Sequence, residues 1–448
     1  MRTYFVLTGV ALLGAALAGG AMLWDGSYYL YCALNSSQPC VANNRWITLF
    51  LHSPVIVAAS FIQDVDELGF IFGLTYALLP FSLLLISWGI VRTHSKPMFI
   101  WAVFGLGFGT LLLQLHFVAE AIISVQLAWP LFLAQFVPGR KTIHLTSAIL
   151  ALLLLICHPF AIGLFTIIGV SAFIVGWKVA DLRREKWAWC LVWMLLTGLA
   201  VVRLVVASSG YETERLSLAV LQEGAWAVKG PPGWALAGVI LAAGLVVSEP
   251  FNKDKWNFQW LKMGQLAGIG AATILLLVWA GNPILWNASF AYRILVFIIT
   301  LPFFALAGVD GMLSRNRPQA ITQAMWPWRL RLIQILGLSF ALVLGVQSWS
   351  WVRLQDRLLT ILTESPSPCL SLEEVSSEFG PGQRPFHHWS ITTLSLFLQG
   401  NVPQKIITEL PCDQLDFSVS MPVNGWEVQS WGSNRIFDLR PLQANLRE

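Results

Sequence analysis

Charge is what this chain of 448 residues has least of. Asp, Glu, Lys and Arg together make up 12% of it, against 56% hydrophobic residues. So little charge cannot keep a chain of this length dispersed in water, which excludes an ordinary soluble enzyme. Cysteine is scarce as well: there are six, none in a Cys-x-x-Cys pair, which excludes a zinc ribbon or a thioredoxin-type centre. His52, His116 and His158 have no metal-ligand spacing, so no metal or other cofactor is expected. There is no phosphate-binding glycine loop, no nucleophile elbow and no internal repeat. The polar stretches between apolar runs are too short for a nucleotide-binding domain, which argues against ATP-driven transport and cytosolic nucleotide-sugar chemistry. No nucleic-acid partner is expected.

What the chain does have is long apolar runs, together with 22 Trp and 27 Phe, residues that suit bilayer interfaces and lipid-facing surfaces. A span needs about 20 apolar residues. Such runs lie near 4–23, 68–91, 97–115, 117–136, 143–158, 160–177, 187–207, 233–249, 263–280, 291–312 and 331–349. The expected fold is therefore an all-α polytopic membrane protein with about 11 transmembrane helices. The first run, with Arg2 ahead of it and small residues at its end, has the look of a signal peptide. It is read here as a retained first helix.

Lys and Arg orient the spans, because short cytoplasmic loops carry the excess. With the N-terminus inside, sixteen basic residues fall on the cytoplasmic side, from Arg2, Arg92 and Lys96 through Lys186 to Arg329 and Arg331. The other side holds five outside the tail: Arg45, Arg203, Arg215, Lys229 and Arg293. This bias decides how residues 46–62 are read. A full span there would invert every later loop, so they are expected to form an outer interfacial helix, broken near Pro54. Cys32 and Cys40, and likewise Cys369 and Cys412, then face an oxidising compartment in two local pairs, and two disulfides are expected. Cys157 and Cys190 fall within helices as small apolar residues.

Residues 1–349 read as a transmembrane domain and 350–448 as an extracytoplasmic cap. The latter is a small α+β domain with helices at 371–379 and 388–399 and a strand at 404–408. The expected location is the plasma (inner) membrane, with a cytoplasmic N-terminus and the cap outside.

Ionisable residues near span ends on the outer side are costly without a partner or a task. Asp25, just after the first run, is placed to act as a general base toward an acceptor hydroxyl. Glu120 follows His116 by one helical turn, which puts both on one face. The Asp64-Val65-Asp66-Glu67 stretch has a plainer reading as the acidic start of a helix. Arg293, after Tyr292, opens a long apolar run where a guanidinium can hold a lipid phosphate bidentately. Arg203 sits several residues inside its helix end and needs a partner. The opposite side reads as mostly bare Lys and Arg.

This layout resembles the lipid-dependent membrane glycosyltransferases of the GT-C superfamily, the group of protein O-mannosyltransferases and aminoarabinose transferases. The likeness lies in Trp24-Asp25-Gly26-Ser27-Tyr28-Tyr29 after the first span and His52-Ser53-Pro54 in the interfacial helix. Glu120 near the outer side of the next spans, Tyr292-Arg293 ahead of a helix containing Pro302, and an outer C-terminal region complete it. The usual acidic pair after the first span is here a single acid, with Gly26 in second place. The resemblance implies transfer of a sugar from a polyprenyl-phosphate donor to an acceptor at the outer face, with inversion. Asp25 would be the base and Glu120 would assist it or position the acceptor. Arg293 and Arg203 would stabilise the leaving phosphate, and Tyr292, His116 and His52 would line the substrate site. Rival readings are a secondary transporter or flippase of an amphipathic substrate, and a ligase or polymerase of lipid-linked glycans. A transporter of that kind would show matching broken helices in two halves, and no such symmetry is visible.

Overall fold

The computed structural model describes residues 1–23, 25–41, 45–111, 118–207, 231–249, 255–282, 286–315, 319–379, 388–408, 421–423, 426–428 and 436–445. Over some helix turns, 287–295 among them, it describes the backbone alone. Hydrocarbon supplies no partner for peptide N–H and C=O groups, so apolar runs of this length close their hydrogen bonds internally as helices. They are α1 (Arg2–Leu17), α2 (Asp25–Ser36), α3 (Thr48–Ala58), α4 (Val65–Val91), α5 (Phe99–Ala102), α6 (Glu120–Leu133) and α7 (Lys141–Leu155). The series continues with α8 (Ala161–Lys178), α9 (Arg183–Ala207), α10 (Pro231–Ser248), α11 (Lys255–Ala280), α12 (Asn287–Arg315) and α13 (Gln319–Glu364). Among the described residues, six helical segments are long and apolar enough to cross a membrane, within α4, α8, α9, α11, α12 and α13. The remaining apolar helices, α1, α6, α7 and α10 among them, offer shorter described stretches.

The bundle is organised around α6. Every residue from Val118 to Val137 is buried, as expected of a helix that is apolar on all sides. It packs against α4, α7, α8 and α12, while α8 pairs with α9, α10 with α11, and α1 with both α4 and α13. The segment 97–107 is also buried throughout. It is not the regular α-helix the apolar run suggests: after α5 the chain widens into π turns over Val103–Leu111, a form found mostly in short stretches near functional sites. By contrast α9 lies on the perimeter, with Leu191, Leu195, Val202 and Val206 exposed.

Residues 46–62 contain α3, whose 11 residues reach about 17 Å at 1.5 Å per residue, too little for a hydrocarbon core of about 30 Å. Pro54 lies inside α3 without interrupting it, so the expected break is absent. Asp64 caps α4, its side chain accepting from the Asp66 and Glu67 amides at 2.9 and 3.0 Å, which is the plain helix-start role. Residue 350 falls within α13, which runs on unbroken for 46 residues, from Gln319 to Glu364. That is about 69 Å, more than twice the hydrocarbon core. Trp351 of α13 donates to the Gly19 carbonyl at the end of α1, so the last turns of α13 project beyond that end of the bundle.

Beyond α13 come β1 (Cys369–Ser371), α14 (Leu372–Ser377), α15 (His388–Phe397), β2 (Ile406–Thr408), β3 (Met421–Val423), β4 (Trp426–Val428) and α16 (Arg440–Asn445). β1 and β2 pair in parallel with Cys369 opposite Ile406, and β3 pairs antiparallel with β4. Ser371 and Glu374 form a capping box at the start of α14. Of these, α15 packs on α2. Thr393 donates to the Ser27 hydroxyl at 3.1 Å, and Tyr31 packs against Phe397 and Phe437 with ring centres 6.5 and 5.4 Å apart.

Candidate functional site at the Asp25 end

The stretch after α1 is the helix α2, with Asp25 in its first turn. Asp25 is half-buried. Gly26 follows because nothing larger fits: a Cβ there would land on the Ala21 carbonyl and press on Val118. A second acid next to Asp25 is thus excluded chiefly by the Ala21 backbone, with Val118, just ahead of α6, adding to the crowding.

One turn after Asp25, Tyr29 is buried and its hydroxyl donates to Glu120 Oε1 at 2.8 Å. Arg45 Nη1 reaches the other carboxylate oxygen, Oε2, also at 2.8 Å. Glu120 itself is 3% exposed, a burial that an ionised carboxylate tolerates only with such charge-assisted partners. Burial first, and the Glu120 charge second, push the Tyr29 phenol well above its ordinary pKa, so it stays a hydrogen-bond donor. The Glu120 carbonyl accepts from Ser124 at 2.8 Å and from the Cys157 thiol at 3.3 Å.

His52 is fully buried on α3. Its Nδ1 accepts the Cys40 backbone N–H at 3.2 Å and therefore carries no proton. The neutral ring then bears its hydrogen on Nε2, which lies 3.2 Å from the Tyr76 hydroxyl. Burial pushes the His52 pKa down to about 3. The ring lies between Tyr29 and Phe72, 5.5 and 5.7 Å centre to centre. Cys40 is held in turn by its disulfide to Cys32, with 5.8 Å between Cα atoms. Cys369 is disulfide-bonded as well, while Cys412 lies outside the described residues.

Arg203 donates to the Leu155 carbonyl at the end of α7, and its charge is felt at Cys157. That places it at the same end of the bundle as Glu120. His158 is buried in the turn before α8, where Nδ1 accepts the Phe160 amide at 3.2 Å, a structural role. His116 lies outside the described residues, as do the side chains of Tyr292 and Arg293, whose backbone belongs to α12. The structure thus brings together Tyr29, Arg45, His52, Glu120 and Cys157, with Asp25 one turn away on α2 and Arg203 on the α9 side. Tyr29, Arg45 and Tyr76 were missed as site residues by the sequence reading. Arg45 carried a signal, being one of few basic residues on its side, but nothing local links it to an acid 75 positions on.

At the opposite end most described basic residues, Arg92, Lys141, Arg183 and Arg331 among them, are exposed, but two are not bare. Arg329 is completely buried and holds Asp310 through Nη1–Oδ2 at 2.6 Å and Nη2–Oδ1 at 3.0 Å, with Nε–Oε2 of Glu249 at 3.1 Å. Its remaining N–H groups meet the carbonyls of Pro97 and Val246 at 3.3 Å. Trp101 donates to Asp310 and Gln265 to Glu249, both at 2.8 Å. Lys186 is buried too, its ammonium capping the Ala134 and Val137 carbonyls after α6. Asp310, an acid inside an apolar run, was the available signal for the Arg329 cluster.

Among the described residues no three His, Cys, Asp or Glu side chains gather as a metal site would require. No protein-family model, no curated protein and no solved structure matches the chain.

Proposed function

We propose that this chain is an integral-membrane glycosyltransferase that moves a sugar from a polyprenyl-phosphate carrier to an acceptor hydroxyl at the extracytoplasmic face. The observation that carries the reading is the gathering of ionisable side chains from α2, the 45 segment, α3 and α6 at one end, with half-buried Asp25 at the edge. In this reading the N-terminus is cytoplasmic and the Asp25 end faces outward, beneath α15.

Asp25 takes the proton of the acceptor hydroxyl as its oxygen attacks the anomeric carbon, the bond from that carbon to the phosphate oxygen breaks, and the configuration inverts. Negative charge grows on the departing lipid phosphate, where Arg293 and Arg203 serve as cationic partners. Glu120, whose oxygens are engaged by Arg45 and Tyr29, acts here by holding the walls on which the acceptor rests. His52 does the same from α3 as a neutral ring. Orientation between donor and acceptor supplies much of the rate.

The test is transfer of sugar from a polyprenyl phosphate by the reconstituted full chain. Asp25→Asn keeps size and hydrogen bonding but loses basicity, and should lower kcat by about 10²–10⁴-fold with donor binding intact. Wild-type transfer by that variant would remove Asp25 as the base. No transfer by the wild-type chain with any polyprenyl-linked donor would remove the reading itself.

A further inference from the structure

A lateral groove of about 600 Å³ opens between α6, α8 and α12, a volume in the range of ligand sites. Phe132 and Phe304 line its floor, Val170 and Ile174 one lip, Val309 and Met312 the other. The lips are lipid-facing, since Val170 is 52% and Val309 50% exposed. Two hydroxyls in the wall are already satisfied by their own helix. Thr166 donates to the Ile162 carbonyl at 2.8 Å and Ser171 to that of Ile167 at 2.9 Å. The groove therefore offers a chain-shaped apolar surface at a depth where the only solvent is hydrocarbon.

Charge marks one end of it. Lys178 closes α8 one helical turn beyond Ile174 on the same face, and it is exposed. It makes no ion pair or hydrogen bond among the described residues. Its neighbour Trp177 is 60% exposed, as interface tryptophans are, which sets Lys178 at headgroup level. From Thr166 to Lys178 the helix rises about 18 Å, close to one leaflet's half of a hydrocarbon core of about 30 Å. That length fits an acyl chain whose headgroup lies at the Lys178 end. The Asp25 site lies toward the opposite end of the bundle, because α8 begins at the turn after Cys157 and ends at Lys178.

We propose that this groove seats one acyl chain of an anionic phospholipid whose phosphate is held by Lys178. The site is independent of the glycosyltransferase reading and rests only on the bundle lying in a bilayer. Bound there, the lipid fills the gap between α8 and α12 against the central helix α6.

Native mass spectrometry of the full chain, titrated with phosphatidylglycerol or phosphatidylcholine of equal chain length, tests it. One tightly held phosphatidylglycerol is expected, preferred over phosphatidylcholine by about fivefold for the single lysine. Lys178→Ala should abolish the preference while leaving chain binding. Gly308 lines the groove, and a Cβ there would meet only Phe132, at an ordinary 3.8 Å. Gly308→Leu should therefore fill the groove and weaken both lipids by about tenfold, the equivalent of two displaced methylenes. Should that variant not fold, Val309→Trp at the half-exposed lip obstructs the same space. Lipid binding unchanged by both groove-filling variants, or a preference unchanged by Lys178→Ala, overturns the proposal. So does displacement of phosphatidylglycerol by an equal concentration of polyprenyl phosphate, which would give the groove to the carrier.

Discussion

Two buried ionic networks anchor the opposite ends of this bundle, and they are built differently. At one end Arg329 has all five N–H groups matched, to two carboxylates and two carbonyls, with neither acid more than 3% exposed. At the other end Arg45 and Tyr29 grip Glu120, but the cluster extends to half-buried Asp25 on one flank and Arg203 on another. A network closed on itself ties helices together: Arg329 joins α10, α12, α13 and the turn before α5. A network with an open flank holds walls in place beside a group that can still meet another molecule. Burial of charge alone therefore does not mark a site. What sets the Asp25 end apart is a half-buried carboxylate beside its network.

The comparison breaks most readily at the closed end. Arg329→Met leaves Asp310 and Glu249 buried without their cation, at a cost of about 3–5 kcal/mol. The expected outcome is loss of the monodisperse peak in gel filtration or a large fall in Tm. Replacing Arg329, Asp310 and Glu249 together by apolar residues of like size should recover most of that loss. If the single variant were as stable as the wild type, the closed network would not be a lock.

Next in size is the disulfide at the open end. Cys32 and Cys40 close a short loop that delivers the Cys40 amide to His52 and leads into Arg45. For a loop of this length the chain-entropy estimate is about 2–3 kcal/mol. Melting Cys32→Ser/Cys40→Ser beside the wild type measures it, and transfer activity should fall with the loss of Arg45 placement.

The His52 ring sharpens the contrast through pH. In the folded chain its pKa lies near 3, below the ordinary value of about 6.5. Above pH 6.5 the ring is neutral in both states and has no effect on the pH profile. As pH falls from 6.5 toward 3, the unfolded chain binds a proton that the buried ring refuses, and stability drops by about 1.4 kcal/mol per pH unit from this group. His52→Phe should flatten that part of a Tm-against-pH curve, and a parallel curve would show that the ring titrates normally.

Asp25→Asn keeps the size and hydrogen-bonding atoms of the side chain and should have the smallest effect on stability of all, within about 0.5 kcal/mol, despite its large effect on transfer. A Tm lowered as far as that of Arg329→Met would place Asp25 in a lock like the other one.

Much of the fold is local and could be read in advance. A run of apolar residues must become a helix in hydrocarbon wherever it lies, and α4, α8 and α12 sit where such runs predict. Asp64 caps α4 because its partners are two and three residues away. Cys32 finds Cys40 because the two are eight positions apart, and α3 is too short to span whatever surrounds it. The candidate site was half legible on the same grounds: Asp25 and Glu120 stand out as acids beside apolar runs, while their surroundings do not. Arg45 reaches Glu120 across 75 positions and Arg329 meets Glu249 across 80. Basic residues that look alike in a loop, Arg329 and Lys178 for instance, end up fully buried and exposed.

The amino-acid sequence by itself determined that the chain is a bundle of membrane helices, where several of them start, and which residues are costly enough to need a partner. Length, hydropathy and the nearest few neighbours are sufficient for those properties. Only the tertiary structure decided which partner each costly residue received, why Gly26 admits no second acid, and which cluster stays open. Those depend on contacts between stretches far apart in the chain, and the identity of a residue carries no record of what the rest of the fold will bring beside it.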